Sequence, residues 1–224
     1  MSEGAAPDLS PAVLRGLERQ AARLRERLAA GERRAGWKIA LNDPRVQRAL
    51  GIGAPVIGYL TSATVLPGGS EHSLAGATRP AIEPEVAVHL GEGGEIAALG
   101  AALEVIDVDL PFEDLDAILE GNVFHRAAAL GPPVPGVTGV AGLTARLRRD
   151  RAEEATIDVA AAALDPAAVV RLVGGYLNAV GDALRAGDVI IAGSLVPALP
   201  LEGEGRVELE IAELGSVALE IRSA

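Results

Sequence analysis

Cysteine is absent from this 224-residue chain. Disulfides, Cys-ligated zinc and thiol nucleophiles are thereby excluded, and any metal must be held by oxygen or imidazole. Aromatic residues make up 2% of the sequence, two Phe, one Trp and two Tyr. The core must therefore be built from Ala, Val, Leu and Ile, and stacking platforms for bases are lacking. Positive charge is also scarce: 20 Lys and Arg stand against 31 Asp and Glu, a formal net charge of −11. A phosphate backbone or an anionic lipid surface would repel most of such a chain, which argues against nucleic acid and membrane partners. No stretch reads as the roughly 18 apolar residues of a membrane span. Met1 to Ser10 is polar with two acids, unlike a secretory signal. A cytoplasmic location is the expectation.

What is present is a globular composition, 49% hydrophobic and 23% charged. The length suits one main domain with a short appendage, a helical segment over 1–35 preceding a body over 36–224. Ser10-Pro11 opens a helix in which Val13, Leu14, Leu17, Leu24 and Leu28 recur near a 3.6 period, with Gly31 ending it. Its Arg15, Arg19, Arg23, Arg25 and Arg27 read as a solvated face. Asn42-Asp43-Pro44 starts a second short helix that Gly51 closes. Between them lies Gly36 to Leu41, a short apolar run interrupted by Lys38. Gly51 to Gly76 reads as irregular connections around Val56 to Leu60, placed as a loop over a site.

Ala81 to Leu90 then alternates with period two. Pro84, which has no N–H, predicts an edge strand or pairing that begins after it. A second strand is predicted over Ala101 to Leu110 and a helix over Phe112 to Gly121. Further strands are predicted over Thr144 to Arg148, Ala155 to Ala161 and Val189 to Ala192, with a closing hairpin of Val207 to Glu213 and Ser216 to Arg222. Asp165-Pro166 opens a helix running to about Leu184.

The residues that carry chemistry are Glu83, Glu85 and Glu104. Residues two apart on a strand share a face, with Cα atoms about 6.5–7 Å apart, so Glu83 and Glu85 present two carboxylates side by side. Glu104 lies on the next strand amid Leu103, Val105 and Ile106, where an ionised carboxylate is costly unless paired or bound to metal. Three carboxylates with open positions suit a hard divalent ion, Mg2+ or Mn2+. By spacing alone, a solvent-facing strand accounts for the same pattern. Lys38 likewise reads either as a functional cation or as a strand-end lysine reaching water.

The order of several segments carries a resemblance. Gly36-Trp37-Lys38-Ile39-Ala40-Leu41, Pro55-Val56-Ile57-Gly58-Tyr59-Leu60, Arg79-Pro80-Ala81-Ile82-Glu83-Pro84-Glu85-Val86-Ala87 and Ala102-Leu103-Glu104-Val105-Ile106-Asp107 come first. Gly174-Gly175-Tyr176-Leu177-Asn178, Leu184 to Leu195 and Leu214-Gly215-Ser216-Val217 follow. From about Leu14 to Ile221 the chain resembles the 2-keto-4-pentenoate hydratase branch of the fumarylacetoacetate hydrolase superfamily. The resemblance implies an α+β fold, a mixed β-roll with flanking helices, in which 36–224 is the metal-dependent catalytic domain and the working unit is a homo-oligomer. It also implies Mg2+ or Mn2+ on Glu83, Glu85 and Glu104, and a small 2-oxo or 2-hydroxydienoic acid that reacts through a metal-stabilised enolate.

Further roles follow from the same resemblance. Lys38 matches the family's lysine beside the metal, which binds a substrate oxygen or donates a proton. Ser194 and Leu195 fall where the family places a small hydroxyl residue and exposed backbone near the substrate carboxylate. Asn122 matches a family asparagine near the substrate, with a helix C-cap as the alternative. His125 has no counterpart and reads as structural or surface; His72 and His89 rank lower as ligands, and Trp37 packs. The residues around a specificity pocket, Tyr59, Leu60, Val123, Phe124 and Val196, are apolar.

At one place the pattern departs. Hydratases of this branch carry a pair of acids after the Gly-x-Leu element, and here Leu60 is followed by Thr61-Ser62-Ala63-Thr64. Either Glu71 or His72 supplies the base that an activated water needs, or the reaction needs only the metal's electron sink. Hydration of a 2-hydroxydienoate is the leading expectation and 4-oxalocrotonate-type decarboxylation the alternative. A non-catalytic metal-binding homologue is the reading from another class, against which the intact set of Glu83, Glu85, Glu104 and Lys38 stands.

Overall fold

The computed structural model describes residues 7–111 and 113–223; Phe112, the expected start of one helix, lies outside them. Pro11–Ala29 forms α1. Ser10 precedes it without a side-chain cap; the Asp8 carboxylate instead accepts the N–H groups of Ser10 and Gly53. Arg34–Ala40 (β1) leads into α2 (Pro44–Leu50), capped by the Asp43 carboxylate and closed by left-handed Gly51. The stretch that sequence leaves irregular carries β2 (Val56–Thr61), β3 (Val65–Pro67) and β4 (Glu71–Ser73). The long pair β5 (Pro80–Leu90) and β6 (Ile96–Asp107) follows. Then come α3 (Leu115–Glu120), β7 (His125–Leu130), β8 (Val134–Pro135), β9 (Thr144–Arg149) and β10 (Ala152–Asp158). The chain continues through α4 (Val159–Ala162), α5 (Pro166–Ala179), β11 (Val189–Ile191), β12 (Leu199–Pro200), β13 (Gly205–Ile211) and β14 (Gly215–Arg222).

Two predicted ends shift for local reasons. The Asp158 carboxylate accepts the Ala161 N–H and turns 159–161 into helix rather than strand. The last long helix stops at Ala179 rather than near Leu184, because Gly181 turns left-handed (φ 76°) and Asp182 bonds to Arg34. By length and composition Val159–Ala179 is apolar enough to cross a membrane, contrary to the reading above. In the fold it is broken at Ala163, and Val169, Leu172, Val173, Tyr176 and Leu177 are buried in the core.

The strands form two mixed sheets flanked by helices, the expected α+β arrangement. One has the order β2-β1-β11-β5-β6-β7-β3, with β12 added to β5 and β8 to β6; the other runs β10-β9-β13-β14-β4. β1–β11, β3–β7 and β4–β14 are parallel, and the remaining pairs are antiparallel. β5 is central rather than an edge. Pro80, Pro84 and Val86 all turn their carbonyls toward the β11–β12 side, accepting from Leu201, Leu195 and Ala192. β11 pairs residues 87–89 and β12 pairs 81–82, so the donor that Pro84 lacks falls in the gap between them.

Val13, Leu17 and Leu24 of α1 join one core cluster with Ile118 and Leu119 of α3. Buried Gln20 pins this contact by donating to the Ile57 and Leu119 carbonyls at 3.0 and 2.9 Å. The α1 arginines are less free than a solvated face implies: Arg19 reaches Asp116 at 3.5 Å and Arg23 reaches Glu120 at 2.7 Å. Exposed pairs of this kind contribute at most about 1 kcal/mol each.

Asp107, at the end of β6, anchors the approach to β5 by accepting from the Thr78 and Arg79 N–H groups and the Thr78 hydroxyl. Burial pushes its carboxyl up, but these donors and Arg126 outweigh that and hold it below the ordinary range. A depressed carboxyl stabilises the fold above its unfolded pKa of about 3.9, and that contribution is lost as pH falls through the lower folded value. Asp107→Asn should therefore cost about 1–3 kcal/mol at neutral pH. Urea unfolding should show the gap from wild type closing below about pH 4.

Candidate metal and substrate site

Strand alternation and register assemble the site. Glu83, Glu85 and Ala87 share one face of β5; Glu104 is paired with Glu83 across the β5–β6 ladder, and Ala128 of β7 with Glu104. On the other side β11 bridges to β1, so that Ala87, Ile191 and Lys38 form one cross-strand row. Alanine at 87, 102 and 128, all fully buried, keeps this face low and leaves room for long carboxylates. Gly58 stands opposite Lys38 in β2.

One carboxylate oxygen from each of Glu83, Glu85 and Glu104 lies within 4.8 Å of the others. Glu104 Oε1 is 2.7 Å from Lys38 Nζ and 2.6 Å from His125 Nδ1. Lys38 Nζ also donates to the Val123 carbonyl at 2.9 Å. Glu85 Oε2 accepts the Gly193 N–H at 2.7 Å. This leaves Glu85 Oε1 and Glu104 Oε2 buried without a hydrogen-bond partner, a costly arrangement for acceptors.

The electrostatics follow from crowding. Burial and then the Glu104 charge push Glu83 up to about 7, with Lys38 opposing. Burial, Glu104 and Glu83 raise Glu85 well above the usual range against Lys38 and the Gly193 N–H. Burial also works to raise Glu104, but Lys38 and His125 outweigh it and hold the carboxyl low. His125 is lowered, first by burial, so a neutral ring with its proton on Nδ1 donates to ionised Glu104. Three acids facing one lysine, two of their oxygens unsatisfied, form a donor set that fits a hard divalent cation.

The turn beneath Lys38 is strained. Asn122, Val123 and Phe124 have φ of 62°, 50° and 64°, and left-handed geometry at a β-branched residue such as Val123 is an outlier. Each such residue costs about 1–3 kcal/mol. The Asn122 side chain holds the turn: its Oδ1 accepts the Tyr59 N–H at 2.7 Å and its Nδ2 donates to the Tyr59 carbonyl at 2.9 Å. The helix C-cap is Gly121 rather than Asn122, and Asn122 is not among the residues lining the cavity above it. Both ends of its amide are spent on β2, and the result is a Val123 carbonyl aimed at Lys38.

Above this floor opens a cavity of about 420 Å³ lined by Lys38, Glu83, Ile106, Val123, Phe124 and Val196, with Asn42, Asp43 and Val46 from the start of α2 and Ser194 and Leu195 also contributing. The Ser194 hydroxyl donates to the Val196 carbonyl at 2.6 Å and the Leu195 N–H to Pro84 at 2.9 Å. Both residues line the cavity, but these two donors are engaged within the chain.

Residues 51–76 do not cover the cavity. Glu71 pairs with Arg222 on the surface, and His72 lies in a separate groove with Asp107 and Arg126. Neither lines the cavity, although His72 is near enough to His125 for that ring to join burial in lowering its pKa. His89 lies on the same face as Glu85 but farther along β5, outside the acidic cluster. Leu60 is fully buried and Tyr59 lines a different cavity, which removes both from the pocket expected around them. His125, read from sequence as structural or surface, is buried and bonded to Glu104. A bulge between Val105 and Ile106 brings it opposite Ile106, onto the face of Glu104, where simple alternation would not put it.

Gly58 tests this packing. A Cβ there would lie 2.8 Å from Asn122 Oδ1 and 2.9 Å from Lys38 Cγ. Gly58→Ala should cost about 1–3 kcal/mol by overpacking against Lys38 and Asn122, read from the midpoint of urea unfolding, while circular dichroism shows a retained fold.

No family model matches the chain. Among curated proteins it is 30% identical over 222 residues to a 2-keto-4-pentenoate hydratase of Paraburkholderia phymatum, covering 85% of this chain and 79% of that protein. It is 28% identical over 228 residues to a 2-hydroxyhexa-2,4-dienoate hydratase of Comamonas testosteroni, covering 88% and 81%. A 4-oxalocrotonate decarboxylase of a Pseudomonas species is 28% identical over 208 residues, covering 86% and 80%. Among solved structures, the 4-oxalocrotonate decarboxylase of Pseudomonas putida G7 complexed with magnesium and adipate superposes with a TM-score of 0.79 at 20% identity, over 92% of this chain and 83% of that one. Fumarylpyruvate hydrolase of Pseudomonas aeruginosa with Mn2+ and pyruvate gives 0.62 at 18% identity, over 86% and 90%.

Proposed function

Since the chain belongs to the 2-keto-4-pentenoate hydratase branch of the fumarylacetoacetate hydrolase superfamily, we propose that it is a Mg2+- or Mn2+-dependent lyase adding water to small 2-hydroxydienoic acids. The observation that carries this reading is the cluster of Glu83, Glu85 and Glu104 beside Lys38, of which Glu83 and Lys38 line an apolar-walled cavity while Glu85 and Glu104 lie buried behind them. Residues 36–224 are the catalytic unit in this reading, with 1–35 as a helical appendage. The three glutamates would hold the cation, with Glu85 Oε1 and Glu104 Oε2, which accept no hydrogen bond, among the oxygens offered to it. When bound, a divalent ion supplies a Lewis acid for the oxygens of a 2-oxo acid.

The chain's own groups do the rest. Lys38, fixed between Glu104 and the Val123 carbonyl, holds or delivers a proton at the substrate's oxygen or adjacent carbon. His125 keeps Glu104 Oε1 engaged, so that this carboxylate presents its other oxygen. The loop at Ser194 and Leu195 shapes the end of the cavity where the substrate carboxylate is received. Val123, Phe124 and Val196 fit an acyclic hydrocarbon chain and exclude bulk water.

A second reading, decarboxylation of a 2-oxo-enedioate, is favoured by one observation. Besides Lys38, the ionisable residues lining the cavity are Glu83 and Asp43, and Asp43 is engaged by Arg45. Water needs a base; departing CO2 does not. Incubation with Mg2+ and a panel of 2-hydroxydienoates and 2-oxo-enedioates separates the two by product mass. Gain of water supports the first reading and loss of CO2 the second. No turnover on any member sinks both and leaves a metal-binding homologue.

A further inference from the structure

On the opposite side of β1 from Lys38 lies a second cavity, of about 270 Å³, between α1, β2 and the end of α5. Trp37 and Tyr59 face each other across the β1–β2 ladder and both line it, 4% and 5% exposed. In a chain with one Trp and two Tyr, this is a concentrated aromatic wall. Leu17, Leu24 and Leu28 of α1 supply the facing apolar surface.

The mouth is polar in a particular way. The charged residues lining the cavity are Arg25, Arg185 and Asp182, a local excess of positive charge in a chain of net charge −11. Asp182 is already shared between Arg185 at 3.2 Å and buried Arg34 at 3.1 Å. Arg25 is exposed and has no ion-pair partner among the described residues. The cavity thus combines an apolar, aromatic interior with an uncommitted guanidinium at its edge.

We propose that this cavity is a second ligand site for a small apolar monocarboxylate, its hydrocarbon body between Trp37 and the α1 leucines and its carboxylate on Arg25. The proposal stands apart from the lyase reading, since it shares no lining residue with the first cavity. The two sites are nonetheless back to back. Adjacent residues of β1 serve them, Trp37 one and Lys38 the other, and the Tyr59 backbone is held by the Asn122 amide.

The lone tryptophan makes the test direct. Titrating the full chain with sodium octanoate should change Trp37 emission saturably, with 1-octanol as the uncharged counterpart binding more weakly. Arg25→Glu should weaken octanoate at least about tenfold and leave octanol unchanged. Ala21→Phe, which fills the cavity, should abolish the octanoate response with circular dichroism unaltered. Val46→Phe, at the rim of the first cavity, should leave it intact. Absence of a saturable change, equal affinity in Arg25→Glu, or loss of the response in Val46→Phe instead would each overturn the proposal. So would an emission that follows protein concentration rather than octanoate, which would mean that a second copy covers the cavity.

Discussion

The Glu85→Gln variant is expected to lose Mg2+-dependent turnover by about 10²–10³-fold, with a metal-free melting temperature no lower than wild type. Glu85 is fully buried, its Oε1 has no partner, and burial with two neighbouring carboxylates raises it well above the usual range. An amide has the shape of the protonated acid, still accepts the Gly193 N–H and can donate toward Glu104, so the metal-free fold keeps its packing. What it cannot do is neutralise a dication. Saturating a site at a hundred times its Kd stabilises a protein by about 2.7 kcal/mol. Thermal shift with and without Mg2+ should therefore show this increment in wild type and little of it in Glu85→Gln. A variant that kept both its rate and its Mg2+ shift would remove Glu85 from the metal site.

Arg34→Ala is expected to carry the largest stability cost, about 3–5 kcal/mol. The Arg34 side chain is 7% exposed, bonds to Asp188 and to Asp182, donates to the Ala183 carbonyl at 2.7 Å and lies 4.8 Å over the Trp37 ring. Asp188 is itself 4% exposed, so truncating the arginine leaves a buried carboxylate without its cation. Against a typical net stability of about 5–15 kcal/mol, such a loss is a large share. The midpoint of urea unfolding measures it. The double variant Arg34→Leu, Asp188→Leu should recover part of the loss, because removing both charges also removes their desolvation cost. A single-variant cost below about 1 kcal/mol would mean that the pair is solvated rather than buried.

Particular residues show how far sequence reasoning reaches here. The carboxylate cluster was legible because period-two alternation puts Glu83 and Glu85 on one face and Glu104 sits in an apolar strand. Lys38 came from resemblance, since nothing local distinguishes it from a strand-end lysine. His125 was hidden by a bulge, which breaks the alternation that would have revealed it. The structural part played by Asn122 was not legible: nothing in Asn122-Val123-Phe124 signals three successive left-handed residues, held by a clamp to a strand more than 60 positions away. Pro84 misled for a related reason. Its placement at the gap between two short strands from the far end of the chain is a tertiary fact.

The position of β11 has a consequence for the order of assembly. Residues 189–191 stand between β5 and β1, so the strand that brings the lysine alongside the acids is among the last to be synthesised. Until it inserts, β5 and β6 can pair as neighbours in sequence, but Lys38 has no ladder to carry it to Glu104. Closing a loop of such length is slow compared with forming a hairpin. A nascent chain that stops before residue 189 therefore holds the residues of the β5–β6 pair but lacks the strand that sets Lys38 beside Glu104.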